Sequence, residues 1–220
     1  MAQLSKKTFK FLSDLRKNNN REWFDKNKDA YLEAKADFEN FMEAVLQDLA
    51  KFDKDMVGLE VKKSTFRIYK DVRFSKDKTP YKTSMSAVFV GGGKKNHDSR
   101  SGYYIHVEPG NSFIAGGANM PPSPWMGYIR EQIDKRAGDL RKIIANKTFK
   151  SYYGSITGEK LKTAPKGYPK DHPDVDLLQY KSLLAVNKIP DKDVLSPKFH
   201  DHIISASKAL VPFNEFLNQG

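Results

Sequence analysis

Phe24, Tyr31, Phe38, Val45 and Phe52 recur at intervals of seven residues, and Ala34, Phe41 and Leu49 fill positions between them. Seven residues are close to two helical turns, so the spacing predicts a helix from about Arg21 to Phe52 with one apolar side. A shorter helix is expected before it, from an N-cap at Ser5 through Lys17, with Leu4, Thr8, Leu12 and Leu15 near one face. Asn18, Asn19 and Asn20 end that helix. Because the first helix supplies an adjacent apolar face, the seven-residue stripe reads as core-facing rather than as a coiled-coil seam.

The period then changes from helical to two. From Phe66 to Phe74 the chain alternates, with Phe66, Ile68, Val72 and Phe74 on one side and Arg67, Tyr69, Asp71 and Arg73 on the other. This pattern predicts a half-buried strand, broken only by Lys70. "SMSAVFVGG" reads as a strand apolar on both faces, "GGGKKNHDSRSG" as a flexible basic loop, and "GYYIHVEPGNSFIAGG" as a hairpin turning at Pro109 and Gly110. Helical spacing returns at Trp125, Ile129, Ile133, Leu140 and Ile144, with Ser123 as the expected cap and Pro124 in the first turn. A proline-rich connector, a short helix near residues 177–185 and a last helix from Ser196 and Pro197, ended or kinked at Pro212, complete the chain. Strands grouped between helical segments indicate the α+β class. The expected architecture is one domain over residues 1–220, helical in 1–60, β-rich in 61–120 and helical in 121–220. Its mainly antiparallel sheet of about four strands lies within residues 64–118, covered by the N-terminal and C-terminal helices.

A chain of 220 residues with 39% hydrophobic residues can bury one sizeable core. Its mean hydropathy of -0.66 and lack of an apolar run of ~20 residues exclude a helical membrane span. No secretory signal pattern opens the sequence, so the cytoplasm is the expected compartment. The absence of cysteine excludes disulfides, thiolate nucleophiles and cysteine-ligated metal or iron–sulfur centres.

Charge is distributed unevenly. Residues 61–100 contain 11 basic and 3 acidic side chains and so carry +8 of the net +11. Within them, "FRIYKDVRFSKDKTPYKT" holds six cations and two aspartates in eighteen residues, with aromatics between. A field concentrated in this way points to phosphate or another polyanion as partner. On an ideal strand, Arg67, Tyr69, Asp71 and Arg73 share a face. Two guanidinium forks at that spacing suit a bidentate phosphate or carboxylate grip, with Asp71 fixing their rotamers. Lys76, Asp77, Lys78, Lys82 and Tyr81 follow on a turn containing Pro80, and Tyr81 offers a hydroxyl donor. The competing reading is a solvated, charged cross-strand ladder.

"RIYKDVRFSKDKTPY" resembles the signature of an uncharacterised family, domain of unknown function 2461, broadly distributed in bacteria and found in some fungal proteins. That signature is Arg-x-x-Arg-Asp-x-Arg-Phe followed by Asp-Lys-x-x-Tyr, and "NNNREWFDKNKDAY" and "GYYIHVEPG" are also similar to the family. The resemblance singles out Arg67, Asp71, Arg73, Phe74, Asp77, Lys78 and Tyr81, places Lys70 where the family has arginine, and implies no established activity or cofactor.

His106 and Glu108 are two residues apart on an expected strand and share a face, the arrangement of a general base and its orienting carboxylate. With Asp71, His106 is the acid/base candidate. His97, His172, His200 and His202 have no metal-ligand spacing, and neither "VGGGKKN" nor "GGANMPPSP" matches a phosphate-loop pattern. Three functions are consistent with these residues. The first is a phosphate-recognising enzyme or binding protein using Arg67, Tyr69, Arg73, Lys76, Asp77, Lys78 and Tyr81. The second is a nucleic-acid module stacking bases on the tyrosines, and the third is a structural ladder with function elsewhere.

Overall fold

The computed structural model describes residues 3–73 and 75–218. Phe74, part of the signature, lies outside the described residues. Helix α1, Lys6–Lys17, begins where the Ser5 side chain accepts a hydrogen bond from the Lys7 amide. Asn20 caps α2, Arg21–Lys26, by accepting from the amide of Trp23. The long helix expected after the asparagines is divided at Asn27, whose backbone leaves the helical region (φ -113°, ψ 22°) and whose side chain donates to the Trp23 carbonyl at 2.8 Å beside its own backbone amide. The remainder is α3, Lys28–Leu49, which buries Ala34, Phe38, Phe41, Val45 and Leu49 as the stripe requires. One short turn, α4, Val61–Ser64, precedes the sheet.

The sheet has four antiparallel strands in the order β1, Met85–Phe89; β2, Tyr103–Val107; β3, Ser112–Ala118; and β4, Leu183–Ile189. The α+β class and the helical cover at both termini hold; the strand positions differ from expectation in two places.

Residues 66–73, read as most of a strand, do not form one. The chain touches the edge of β1 through an isolated pairing of Thr65 with Ala87, and the segment before β1 through one of Tyr69 with Tyr81, and beyond Lys70 it turns away. Local side-chain acceptors capture the backbone there: Asp71 accepts from the Arg73 amide, Ser75 from that of Asp77, and Asp77 from that of Thr79. Such bonds compete directly with a ladder, and Pro80 opposite has no N–H to offer.

The second difference is β4, which lies in the segment read as helical. The short helix α7 is confined to Val175–Leu178. Residues 183–189 instead pair with β3 over its whole length, from Leu183 opposite Ala118 to Ile189 opposite Ser112. The open edge of the β1–β3 meander supplied the partner that local propensity could not anticipate.

Helices α5, Ser123–Ala145, and α6, Lys147–Tyr153, separate β3 from α7. The residue capping α5 is Pro122, with Ser123 already inside the first turn. After β4 come α8, Asp191–Val194, and α9, Phe199–Asn218, which continues through Pro212 instead of ending there. No described helix is long and apolar enough to cross a membrane.

On one face of the sheet Phe89, Tyr103, Ile105, Val107 and Ile114 are fully buried, in one cluster with Phe38, Val45, Ile203, Leu210 and Phe213 of α3 and α9. Buried aromatic polar atoms find partners: Tyr103 Oη donates to Asp53 at 2.8 Å, Trp125 Nε1 to the Leu217 carbonyl at 3.0 Å, and Tyr153 Oη to the Ala206 carbonyl at 2.9 Å. The opposite face carries Tyr104, His106 and Phe113, each only partly buried.

Gly117 is critical to the β3–β4 pairing. Its φ is +119°, and a Cβ there would stand 2.1 Å from the Leu183 carbonyl oxygen. Gly117→Ala is therefore expected to lower stability by about 2–4 kcal/mol, read as a lower urea midpoint at unchanged slope.

Candidate anion-binding site

Past α4 the chain is held to β1 and to the segment leading into it by three backbone bonds. The Phe66 amide donates to Ser86, the Lys82 amide to Ile68 and the Lys70 amide to Pro80, at 2.9, 2.7 and 2.9 Å. Ile68 is buried by this pairing, whereas Arg67 and Tyr69 face outward. Asn19 fixes the returning chain, its side chain accepting from the Tyr81 amide at 3.1 Å and donating to the Tyr81 carbonyl at 2.9 Å. The Tyr81 ring lies 4.0 Å from that of Phe24, nearly parallel to it, and Tyr69 meets Phe24 edge-on at 5.9 Å. The basic segment is thus fastened to the N-terminal helices through an aromatic cluster.

Between this segment and α3 lies a cleft of about 640 Å³. Lys62, Arg67, Lys82 and Lys94 contribute to its walls, together with Tyr31 and Tyr69. Among the described residues none of these four cations lies within 4.0 Å of a carboxylate oxygen, while Lys35 at the rim is 3.7 Å from Glu39. The ring of Phe66 carries the Lys82 and Lys94 ammonium groups 5.4 and 5.1 Å from its centroid, and Lys94 also donates to the Thr65 carbonyl. Burial, and then the charges of Arg67 and Lys94, push the Lys82 amine below its ordinary value. Positive charges gathered on a half-buried lysine without an acid form a site that an anion would stabilise.

The other expected ligands fall elsewhere. Arg73 grips Asp71 with two nitrogens at 2.6 and 2.9 Å, both side chains exposed. Hydrogen bonds from the Arg73 side chain and amide, with the charge of Arg67, hold the Asp71 carboxyl below the usual carboxylate range, so it is a weak base. Lys70 binds Asp77 and Thr79, each at 2.7 Å, and Lys78 donates to the Val72 carbonyl at 3.0 Å. Lys70 first, then Thr79, drive the Asp77 carboxyl far down. Residues 71–73 and 75–79 are consequently loop residues closed by the Arg73–Asp71 and Lys70–Asp77 pairs, with Lys76 exposed among them. Tyr81 is 4% exposed and packs into the core, where burial raises its phenol. The face-sharing of Arg67 and Arg73 is lost with the strand that would have produced it.

His106 lies on the partly open sheet face, stacked on Phe113 at 4.7 Å, with Nε2 at 3.2 Å from Glu108. The T-shaped contact of Tyr104 with Phe66 at 6.1 Å puts this face beside the cleft. Among the described residues no group of three His, Cys, Asp or Glu could hold a metal.

A family model described as conserved hypothetical protein (DUF2461) matches residues 7–216. The chain belongs to the DUF2461 family. No curated protein and no solved structure matches it.

In this DUF2461 protein the signature segment divides between two tasks. Arg67 and Tyr69 face the cleft, whereas Asp71, Arg73, Asp77 and Lys78 close the adjoining loop. Of the cleft cations, Lys62 and Lys94 carry no periodic or motif signal. Lys94 belongs to the segment read as a flexible loop, and only the β1–β2 hairpin brings it over Phe66. Asn19 reads in the sequence as part of a helix terminator, but its grip on Tyr81 spans 62 residues.

Proposed function

We propose that this protein binds a small phosphate-bearing or similar anionic ligand in the cleft between α3 and the 65–69 segment. The observation that carries the reading is the half-buried Lys82 ammonium, without a carboxylate partner and under the repulsion of Arg67 and Lys94. An anion seated among the three converts mutual repulsion into charge-assisted hydrogen bonds. Arg67 supplies the planar fork; Lys82 and Lys94 act as point charges. The volume of 640 Å³ suits a small molecule, and Tyr31 and Tyr69 give such a ligand an apolar wall.

A second reading is favoured by one observation, the 47% exposure of Tyr69 beside these cations, a platform on which a nucleic-acid base can stack. Calorimetric titration separates the two. Pyrophosphate is expected to bind saturably at one site and to lose only about tenfold in affinity between about 50 and 200 mM salt. A single-stranded oligonucleotide bound more tightly than pyrophosphate, with a loss of about a thousandfold or more over that range, would favour the second reading. Failure of both ligands to bind would remove the anion-binding proposal.

A further inference from the structure

The partly open face of the sheet holds a second chemical arrangement, on β2. Tyr104, His106 and Glu108 occupy alternate positions of one strand and are linked end to end. Tyr104 Oη is 3.2 Å from His106 Nδ1, and His106 Nε2 is 3.2 Å from Glu108 Oε2. Glu108 is held in turn by Thr83 at 2.6 Å and Asn111 at 2.9 Å, with Arg16 of α1 at 3.3 Å. A carboxylate can only accept, so Nε2 carries the imidazole proton. Nδ1 is therefore left as an acceptor directed at the Tyr104 hydroxyl.

We infer that Tyr104, His106 and Glu108 form a reaction site in which the Tyr104 hydroxyl is the nucleophile, His106 its base and Glu108 a positioning residue. The substrate class is an electrophilic ester. The Tyr104 oxygen bonds to the electrophilic centre as its proton moves to His106 Nδ1; the ester's alcohol then leaves with that proton. Water repeats the sequence to release the acid and restore the phenol. This is the nucleophile, base and orienting acid logic of covalent catalysis, with a phenol as the nucleophile. The protonation states fit. Burial chiefly lowers His106, keeping it neutral, and chiefly raises Tyr104, keeping it a phenol that needs a base. For Glu108 burial opposes ionisation but is outweighed by the bonds from Thr83, Asn111 and His106, leaving it anionic. The charged groups around the imidazole are Glu108 on its own strand, Lys82 before β1, Arg16 through Glu108, and Lys188 on β4 opposite Phe113. The inference goes beyond the anion-binding reading and stands without it.

Phenylmethanesulfonyl fluoride supplies a direct test on the full chain. Its reaction with Tyr104 forms an O–S bond, breaks the S–F bond, passes the phenolic proton to His106 and releases fluoride. Peptide mass mapping should show Tyr104 labelled at least about tenfold faster than Tyr69, the more exposed tyrosine at 47%. The rate should rise with a midpoint below the ordinary histidine value of 6.5 and then level off. His106→Gln should lower it at least about tenfold with the melting temperature retained. Glu108→Gln should move the midpoint lower still, because the imidazolium loses its counter-charge. If His106→Gln does not fold, the wild-type pH profile decides. Labelling no faster than at Tyr69, a rate climbing steadily towards about pH 10 as for an ordinary phenol, or a folded His106→Gln that reacts as fast would each overturn the inference.

Discussion

Replacing Arg67 with Ala and Lys82 with Met in one chain is expected to weaken pyrophosphate binding by at least about a hundredfold, since each charged contact is worth about 1.5–3 kcal/mol. The unliganded variant should melt at the same temperature as wild type or higher, because the substitution removes like charges that repel one another. Arg73→Ala is the matched control. It deletes a signature cation of the closed loop and should leave affinity within about threefold, the scale of an exposed ion pair. The sign of the pH dependence follows from the same cluster. The native state lowers Lys82 below the ordinary lysine value of 10.5, so the unfolded chain holds that proton more tightly. The lysine's destabilising contribution is full below the lowered value and fades as pH rises from there towards 10.5. Unliganded wild type should therefore gain stability over that interval relative to Lys82→Met, while its affinity for pyrophosphate falls. Calorimetric melts and titrations of wild type, the double variant, Arg73→Ala and Lys82→Met at several pH values check all of these outcomes.

Phe24→Ala should produce the largest loss of stability, about 3–5 kcal/mol and hence a melting temperature lower by about 6–20 °C for a protein of this size. Phe24 is 1% exposed. Its ring is shared by Tyr81 at 4.0 Å, Tyr31 at 5.1 Å and Tyr69 at 5.9 Å. Truncation leaves a cavity at the place where the basic segment is fastened to α2 and α3. Anion affinity should consequently fall even at temperatures where the variant remains folded, because Tyr31 and Tyr69 lose their common support. Differential scanning calorimetry gives the first effect and titration at about 10 °C, near maximal stability, the second. An undiminished affinity in the folded variant would show that the aromatic cluster does not position the cleft.

Phe24 also illustrates what the sequence reveals. Phe24 begins a seven-residue stripe whose period is a property of the helix itself, so its burial is legible from spacing alone. The alternation along β2 is equally local, and places Tyr103, Ile105 and Val107 in the core and His106 and Glu108 together on the other face. The α+β class follows from such patterns. Residues 66–74 alternate just as clearly, yet Asp71, Ser75 and Asp77 satisfy nearby amides and leave only isolated pairings. That competition between side chain and ladder turns on geometry at single residues. It also moves Arg73 from the face of Arg67 into a loop closed by Asp71. β4 is illegible in the sequence for a different reason. Its partner β3 ends 65 residues before it begins, and Leu183, Ala185 and Ile189 become strand residues only because an open sheet edge awaits them. The cleft shares this non-local character. Arg67 and Lys82 come from one continuous basic stretch, whereas Lys62, Lys94 and Tyr31 reach it from α4, from the β1–β2 loop and from α3.

The central claim is a location, and amide chemical-shift mapping by NMR during a phosphate or pyrophosphate titration tests it most directly. The account predicts saturating shifts at residues 65–69, 82–86 and 94–97 and near Tyr31 and Lys35 of α3, with residues 75–79 little changed. Shifts centred on the 71–79 loop, shifts scattered over the basic surface without saturation, or none at all would contradict it.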